Sequence, residues 1–194
     1  MSDPEGESPG ENRQAEGLVA NAKDDSPSEN CRAKRGGEWE DLLVRAGCGE
    51  PVIAHARAVT ALSLLFAGSP VVDRGLVEAG AMLHDIGRGQ SHGVDHAQRG
   101  AELARSLGLD PRIVSIIERH IGAGMTPDEC SLAGLLPRDC MPRTIEERIV
   151  ANADNLVHGS RPASIEDTLA GSIRLKRRIR RRMYRLYLEM ESLR

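Results

Sequence analysis

The chain has 194 residues, with 29 acidic against 26 basic side chains and a net charge of −3 when histidine is neutral. Hydrophobic residues make up 40% of it but aromatics only 2%, which argues against an all-β core. No apolar run approaches the roughly 18 residues of a membrane span and no leader-like apolar segment follows the N-terminus, so the expectation is a cytoplasmic helical protein without membrane contact.

Residues 1–37 are rich in Gly, Ser, Pro, Glu, Asn and Asp and are expected to form a disordered acidic tail. Trp39, Leu42, Leu43 and Ala46 then recur at helical spacing until Gly47 and Gly49 interrupt them. Pro51 suits the first turn of a second helix with Val52, Ala56, Val59, Leu62, Leu65 and Phe66 on its apolar face. A third helix is expected from about Val72 to His84. A fourth runs from Asp95, its expected cap, to Gly108, and a fifth from Asp110-Pro111 to Gly122. Residues 122–143 hold three prolines and three glycines and read as a long loop. Thr144 with Glu147 predicts a capping box for a sixth helix, and a seventh covers about 164–193. The fold class is therefore all-α, a bundle of six or seven helices. It divides into a tail (1–37), a helical domain (38–163) and a C-terminal basic amphipathic helix (164–194).

The four cysteines, Cys31, Cys48, Cys130 and Cys140, form no CxxC pair and read as free thiols rather than as a zinc or disulfide framework. Five of the six histidines fall between residues 38 and 121, at expected helix ends or on helix faces. His55 lies on the second helix, His84 and Asp85 end the third, His96 starts the fourth and His120 closes the fifth. Asp154 lies among Ile149, Val150, Ala153 and Val157, where an ionised carboxylate is costly without a partner. A metal ion satisfies several such groups at once. The competing reading is a set of core histidines and solvated or capping aspartates, and His92 and His158 fall on that side.

The ordered set His55, His84-Asp85 and Asp154 resembles the signature of the HD superfamily of metal-dependent phosphohydrolases, and His84-Asp85-Ile86-Gly87 matches its HDIG variant. The likeness covers residues 39 to about 163. His96 with Gly100, and then His120, resemble the third and fourth histidines of members that bind two metals. The chain is similar to an uncharacterised archaeal HDIG family. Ala153-Asp154 followed by Arg161-Pro162 is similar to the bacterial HD-type symmetrical dinucleoside tetraphosphate hydrolases. Two features depart from the family pattern: Arg88 stands where many HDIG proteins carry Lys, and His120-Ile121 replaces His-Thr. The extended motif of the cyclic-dinucleotide phosphodiesterases is not evident, which turns the expectation away from that substrate.

The resemblance implies that His55, His84, Asp85 and Asp154 hold one divalent metal, and that Asp85, His96 and His120 hold a second. Imidazole with carboxylate suits Fe, Mn, Zn or Co. Two such ions would share a hydroxide that attacks phosphorus of a nucleotide or small phosphate ester, with Asp85 central to the chemistry. Arg88 reads equally as a clamp for a phosphate oxygen and as a surface arginine, Arg161 is expected to swing over the site from a loop, and Asn155 is a lesser candidate to orient a ligand. Specificity is expected to reside in the 122–143 loop.

Charge is unevenly spread, with eight acids and five bases in residues 1–37 but nine bases and two acids in residues 174–194. Leu175, Ile179, Met183, Leu186, Met190 and Leu193 form one stripe, to be packed on the bundle or on a second copy of the chain as a homodimer. The arginines left on the other faces suggest a solvated surface or a rim attracting phosphorylated or nucleic-acid ligands. Two further readings therefore stay open beside the hydrolase: a non-catalytic metal-bound sensor or RNA-associated module using the basic helix, and a purely structural helical protein.

Overall fold

The computed structural model describes residues 36–193; the proposed 1–37 tail, with Cys31, lies outside that range except for Gly36 and Gly37, which open the first helix instead of belonging to a tail. Among the described residues the chain forms nine α-helices, one 3-10 turn and a two-stranded hairpin. In chain order these are α1 (Gly36–Arg45), α2 (Glu50–Phe66), α3 (Arg74–Leu83), the 3-10 turn Ile86–Gly89, α4 (His96–Ser106) and α5 (Pro111–Arg119). Then follow α6 (Pro127–Leu132), α7 (Ile145–Asn155), β1 (Val157–His158), β2 (Arg161–Pro162), α8 (Ile165–Gly171) and α9 (Arg177–Glu191). No helix among the described residues is long and apolar enough to cross a membrane.

The all-α class stands, with nine helices rather than six or seven. One of the two extra helices, α6, lies in the segment read as a loop. Thr126 accepts from the Glu129 amide while the Glu129 carboxylate takes the Thr126 amide, and Pro127 occupies the first turn. The other comes from the expected 164–193 helix, which breaks after Gly171 and restarts at Arg177 with extended backbone at Lys176. Glycine is a poor helix former, and Ser172 ends the turn instead of continuing it. Leu175 falls in this break and is exposed, as is Leu193 past the end of the last helix, while Met183, Leu186 and Met190 are buried as the stripe requires.

Capping is redistributed as well. Thr144 accepts from the Glu147 amide as expected, but the Glu147 carboxylate bonds the Arg143 amide and Arg119 instead of completing the box. Asp95 stands at the cap position of α4 without capping it, because its carboxylate is taken by Ser91 and Arg99.

The core lies where α3 meets α1, α2, α5 and α7, and α7 also packs on α2, α5 and α9. Leu43, Val59, Phe66, Leu83, Ile113, Ile116, Ile117, Ile149 and Met190 fill it. This packing fixes the ends of α3, α5 and α7 relative to one another, and those ends carry the site. Outside the core, Arg178 and Arg182 grip the buried Glu129 and tie α9 to α6. Ile117 lies against Gly100 and is fully buried, so Ile117→Ala should cost about 2–5 kcal/mol, read as a lower urea midpoint with an unchanged slope.

Candidate metal centre

Five elements deliver six side chains to one place. His55 lies within α2. His84 and Asp85 follow α3, His96 is the first residue of α4, His120 follows α5, and Asp154 stands one residue before the end of α7. The buried faces of these helices draw the site residues inward as a by-product of core formation. His84, Asp85, His96 and His120 are buried, and His55 and Asp154 are half-buried.

Asp85 is the hub. Its Oδ1 lies 3.0 Å from His96 Nε2 and 3.7 Å from His120 Nε2, and its Oδ2 lies 3.7 Å from His84 Nε2. Asp154 Oδ1 lies 3.0 Å from His55 Nε2 and 3.5 Å from His84 Nε2. The Nε2 atoms of His96 and His120 are 3.1 Å apart. Three triads each bring ligand atoms within 4.8 Å of one another: His55, His84 and Asp85; His84, His120 and Asp154; Asp85, His96 and His120.

The four rings are all held by the nitrogen that faces away from the carboxylates. Nδ1 of His84, His96 and His120 lies 2.7, 2.7 and 2.8 Å from the carbonyls of Ala81, Gly93 and Ile117, three residues earlier in each case. Nδ1 of His55 instead reaches the carbonyl of Gly159, 2.7 Å away and 104 residues later. A carbonyl only accepts, so Nδ1 carries the proton in every ring and Nε2 points inward. Gly159 turns the β1–β2 hairpin at φ +62°, a conformation costly for other residues, and so presents its carbonyl to His55.

His84 Nε2 is buried without a hydrogen-bond partner. Leaving such an atom unsatisfied costs about 1–3 kcal/mol, and a cation held between His84, Asp85 and Asp154 satisfies it. The donor set and this orphaned nitrogen fit a divalent metal. The local electrostatics agree. Burial alone would push the His84 imidazole down, but the Asp85 and Asp154 carboxylates outweigh it and hold it up at about 9. Burial and the neighbouring His84 push His120 down to about 4. Burial would raise both carboxyls, yet the surrounding histidines hold Asp85 and Asp154 far below the usual range.

The remaining expected site residues are placed differently. Arg88 is close, with Nε 3.2 and 3.3 Å from the two Asp85 oxygens, and it also donates to the His92 carbonyl. His92 contributes that carbonyl from an exposed turn. Arg161 is exposed on β2, paired with His158 across the hairpin whose turn contacts His55. Asn155 donates to the Gly122 carbonyl and accepts from Thr168 through its own carbonyl, so it braces the chain after His120 instead of facing a ligand. Sequence reasoning missed two supports. The Cys48 thiol donates to the Ile86 carbonyl beside Asp85. The absence of a side chain at Gly87 lets the 3-10 turn press on α4, and a Cβ there would collide with the His96 carbonyl. The glycine was visible in the motif, but the backbone it meets was not.

The HD domain family profile matches residues 52–158, and this chain belongs to the HD domain family. It is 45% identical over 128 residues to an uncharacterised protein of Methanocaldococcus jannaschii, covering 63% of this chain and 75% of the relative. It is 44% identical over 129 residues to a tRNA (cytidine(56)-2'-O)-methyltransferase of Thermoplasma volcanium, covering 66% of this chain but spanning only 38% of that protein. A ribonuclease Y of Acidothermus cellulolyticus is 33% identical over 139 residues, a quarter (25%) of its length. Among solved structures, the HD domain of the L. monocytogenes phosphodiesterase PgpH, in complex with cyclic-di-AMP, superimposes with a TM-score of 0.52 at 14% identity. That match covers 80% of this chain and 95% of the other, and it bears on the fold alone.

Two outcomes follow from this geometry. In the metal-free protein His84 keeps its proton up to about pH 9, so cation binding must displace it. Affinity for Mn(II) should therefore rise between pH 7 and 9. Calorimetric titrations in buffers of different ionisation enthalpy should show proton release. Gly87→Ala should cost roughly 1–3 kcal/mol by overpacking and weaken Mn(II) retention together, measured by thermal melts with and without the ion.

Proposed function

We propose that this chain is a metal-dependent phosphohydrolase acting on a phosphodiester or phosphomonoester of a nucleotide or small phosphate ester. The observation that carries the reading is Asp85, whose two oxygens face separate histidines, Oδ2 toward His84 and Oδ1 toward His96 and His120. In this reading His55, His84, Asp85 and Asp154 would hold one divalent ion, and Asp85, His96 and His120 would hold a second. Imidazole with carboxylate favours Fe, Mn, Zn or Co over Mg. Such ions, when bound, lower the pKa of a water toward neutrality and neutralise charge developing on phosphoryl oxygens.

The chain's own groups do the positioning. The four Nδ1–carbonyl bonds keep each imidazole from turning and hold Nε2 as a ready donor. Arg88, now paired with Asp85, is free to take a phosphate oxygen once cations share that carboxylate's charge. Arg161, on the exposed hairpin beside His55, is the second clamp. The name of one relative leans the same way: ribonuclease Y denotes cleavage of a phosphodiester. The methyltransferase name belongs to a protein of which this chain spans 38%, and nothing in the six-residue cluster suits methyl transfer.

The test is metal analysis beside hydrolysis of nucleotides, linear and cyclic dinucleotides and a chromogenic phosphodiester. Asp85→Asn should lower bound metal and reduce turnover by at least about 100-fold, the upper range seen when support of a ligand is lost. Turnover retained by Asp85→Asn rejects the mechanism. Metal bound by the parent protein with no turnover on any substrate favours the sensor reading.

A further inference from the structure

A second cationic feature lies apart from the histidine cluster. A groove of about 320 Å³ between α8 and α9 is lined by Leu169, Arg177, Arg180, Arg181, Tyr184 and Arg185. None of these is a candidate metal ligand. Arg177, Arg181 and Arg185 recur every four residues and so form one row, each step rising about 6 Å along the helix. Arg180 and Tyr184 form the adjoining row.

Other arginines of α9 already have a carboxylate partner, since Arg178 and Arg182 share Glu129. None of the four groove arginines takes part in an ion pair found among the described residues. Arg180 Nε is moreover a buried N–H with no hydrogen-bond partner. Four arginines lining one groove without carboxylate partners point to an anionic ligand with several acceptor oxygens.

The chemistry of the lining narrows the class. All four cations are arginines, whose planar fork grips phosphate through two bonds. Met183, Leu186 and Met190 are buried against the bundle, so the apolar face of α9 is not available for insertion into a bilayer. Both tyrosines of the chain lie on this helix, stacked with ring centres 6.3 Å apart, and Tyr184 is 43% exposed. An exposed ring among arginines gives a base a platform to stack on, which an acidic peptide would leave unused and a duplex would not reach.

We propose that the α8–α9 groove docks a single strand of nucleic acid, with the Arg177–Arg181–Arg185 row following the phosphodiester backbone and Tyr184 stacking on a base. The shared chemistry of RNA and DNA strands defines the ligand, and docking requires no turnover, so this inference stands apart from the hydrolase reading.

The experiment is fluorescence anisotropy of the full chain with a labelled strand of about 20 nucleotides, long enough to exceed the usual site sizes. RNA, DNA and duplex forms are compared across a salt series, beside polyglutamate and vesicles containing anionic lipid. Single strands, of RNA alone or of RNA and DNA alike, should bind best. The triple variant Arg177→Gln, Arg181→Gln, Arg185→Gln should weaken binding at least about tenfold and reduce the log–log salt slope by about 2, since each phosphate contact contributes about 0.7. Tyr184→Ala should weaken it about fivefold or more. The three arginines are exposed, so circular dichroism should report an unchanged fold in the triple variant. Tighter binding of duplex, polyglutamate or vesicles overturns the proposal. So does a salt slope unchanged in the triple variant, or a strand affinity indifferent to Tyr184→Ala.

Discussion

The carboxylate of Asp85 is ionised and 6% exposed, held against three imidazoles and a guanidinium. Removing such a group from water costs several kcal/mol unless positive charge or hydrogen-bond donors replace the lost hydration. Much of the surrounding architecture follows from that constraint. The chain must leave α3 sharply so that His84 and Asp85 face the same interior point. It must bring the first residue of α4 to within 3.0 Å of the carboxylate. It must also end α5 at that depth. The 3-10 turn after Asp85, flattened against α4 at Gly87, meets the first two demands together.

The site therefore has two layers of different character. The inner layer is electrostatically frustrated without a cation, with a buried ring nitrogen of His84 that faces two carboxylates but is hydrogen-bonded to neither, and two histidines driven in opposite directions, His84 up to about 9 and His120 down to about 4. The outer layer is fully satisfied, each Nδ1 resting on a carbonyl. A satisfied outer layer around an unsatisfied inner one keeps the donors in place while leaving their inward atoms available, the arrangement a binding site needs and a purely structural polar cluster does not.

The inner layer was largely legible in the sequence, because it consists of side chains. His55, His84, Asp85, His96, His120 and Asp154 are recognisable residue types at the ends or on the faces of periodic segments, and the structure gathers all six. The outer layer was not legible, because its acceptors are carbonyls, which every residue has and no letter of the sequence marks. The same limit explains Asn155. Its amide was free to serve a ligand until the fold placed the Gly122 carbonyl 2.8 Å from it. Helix α6 was missed for another reason: Thr126, Pro127 and Glu129 spell a helix start, but the prolines and glycines around them outweighed it. In the C-terminal segment, an unbroken count of apolar spacing carried the reading across Gly171 although glycine is a common stop.

The contact between His55 and Gly159 joins positions 104 residues apart, and His55 meets Asp154 across 99. Chains emerge from the ribosome N-terminus first and at a finite rate. Helix α2 is thus exposed early, while its partners in α7 and the hairpin are still being made. A nascent chain holds His84, Asp85, His96 and His120 well before it holds the residues that complete the pocket around His55. The half of the pocket built from α3, α4 and α5 is therefore complete in the growing chain first, and the half around His55 can close only after the hairpin has left the exit tunnel.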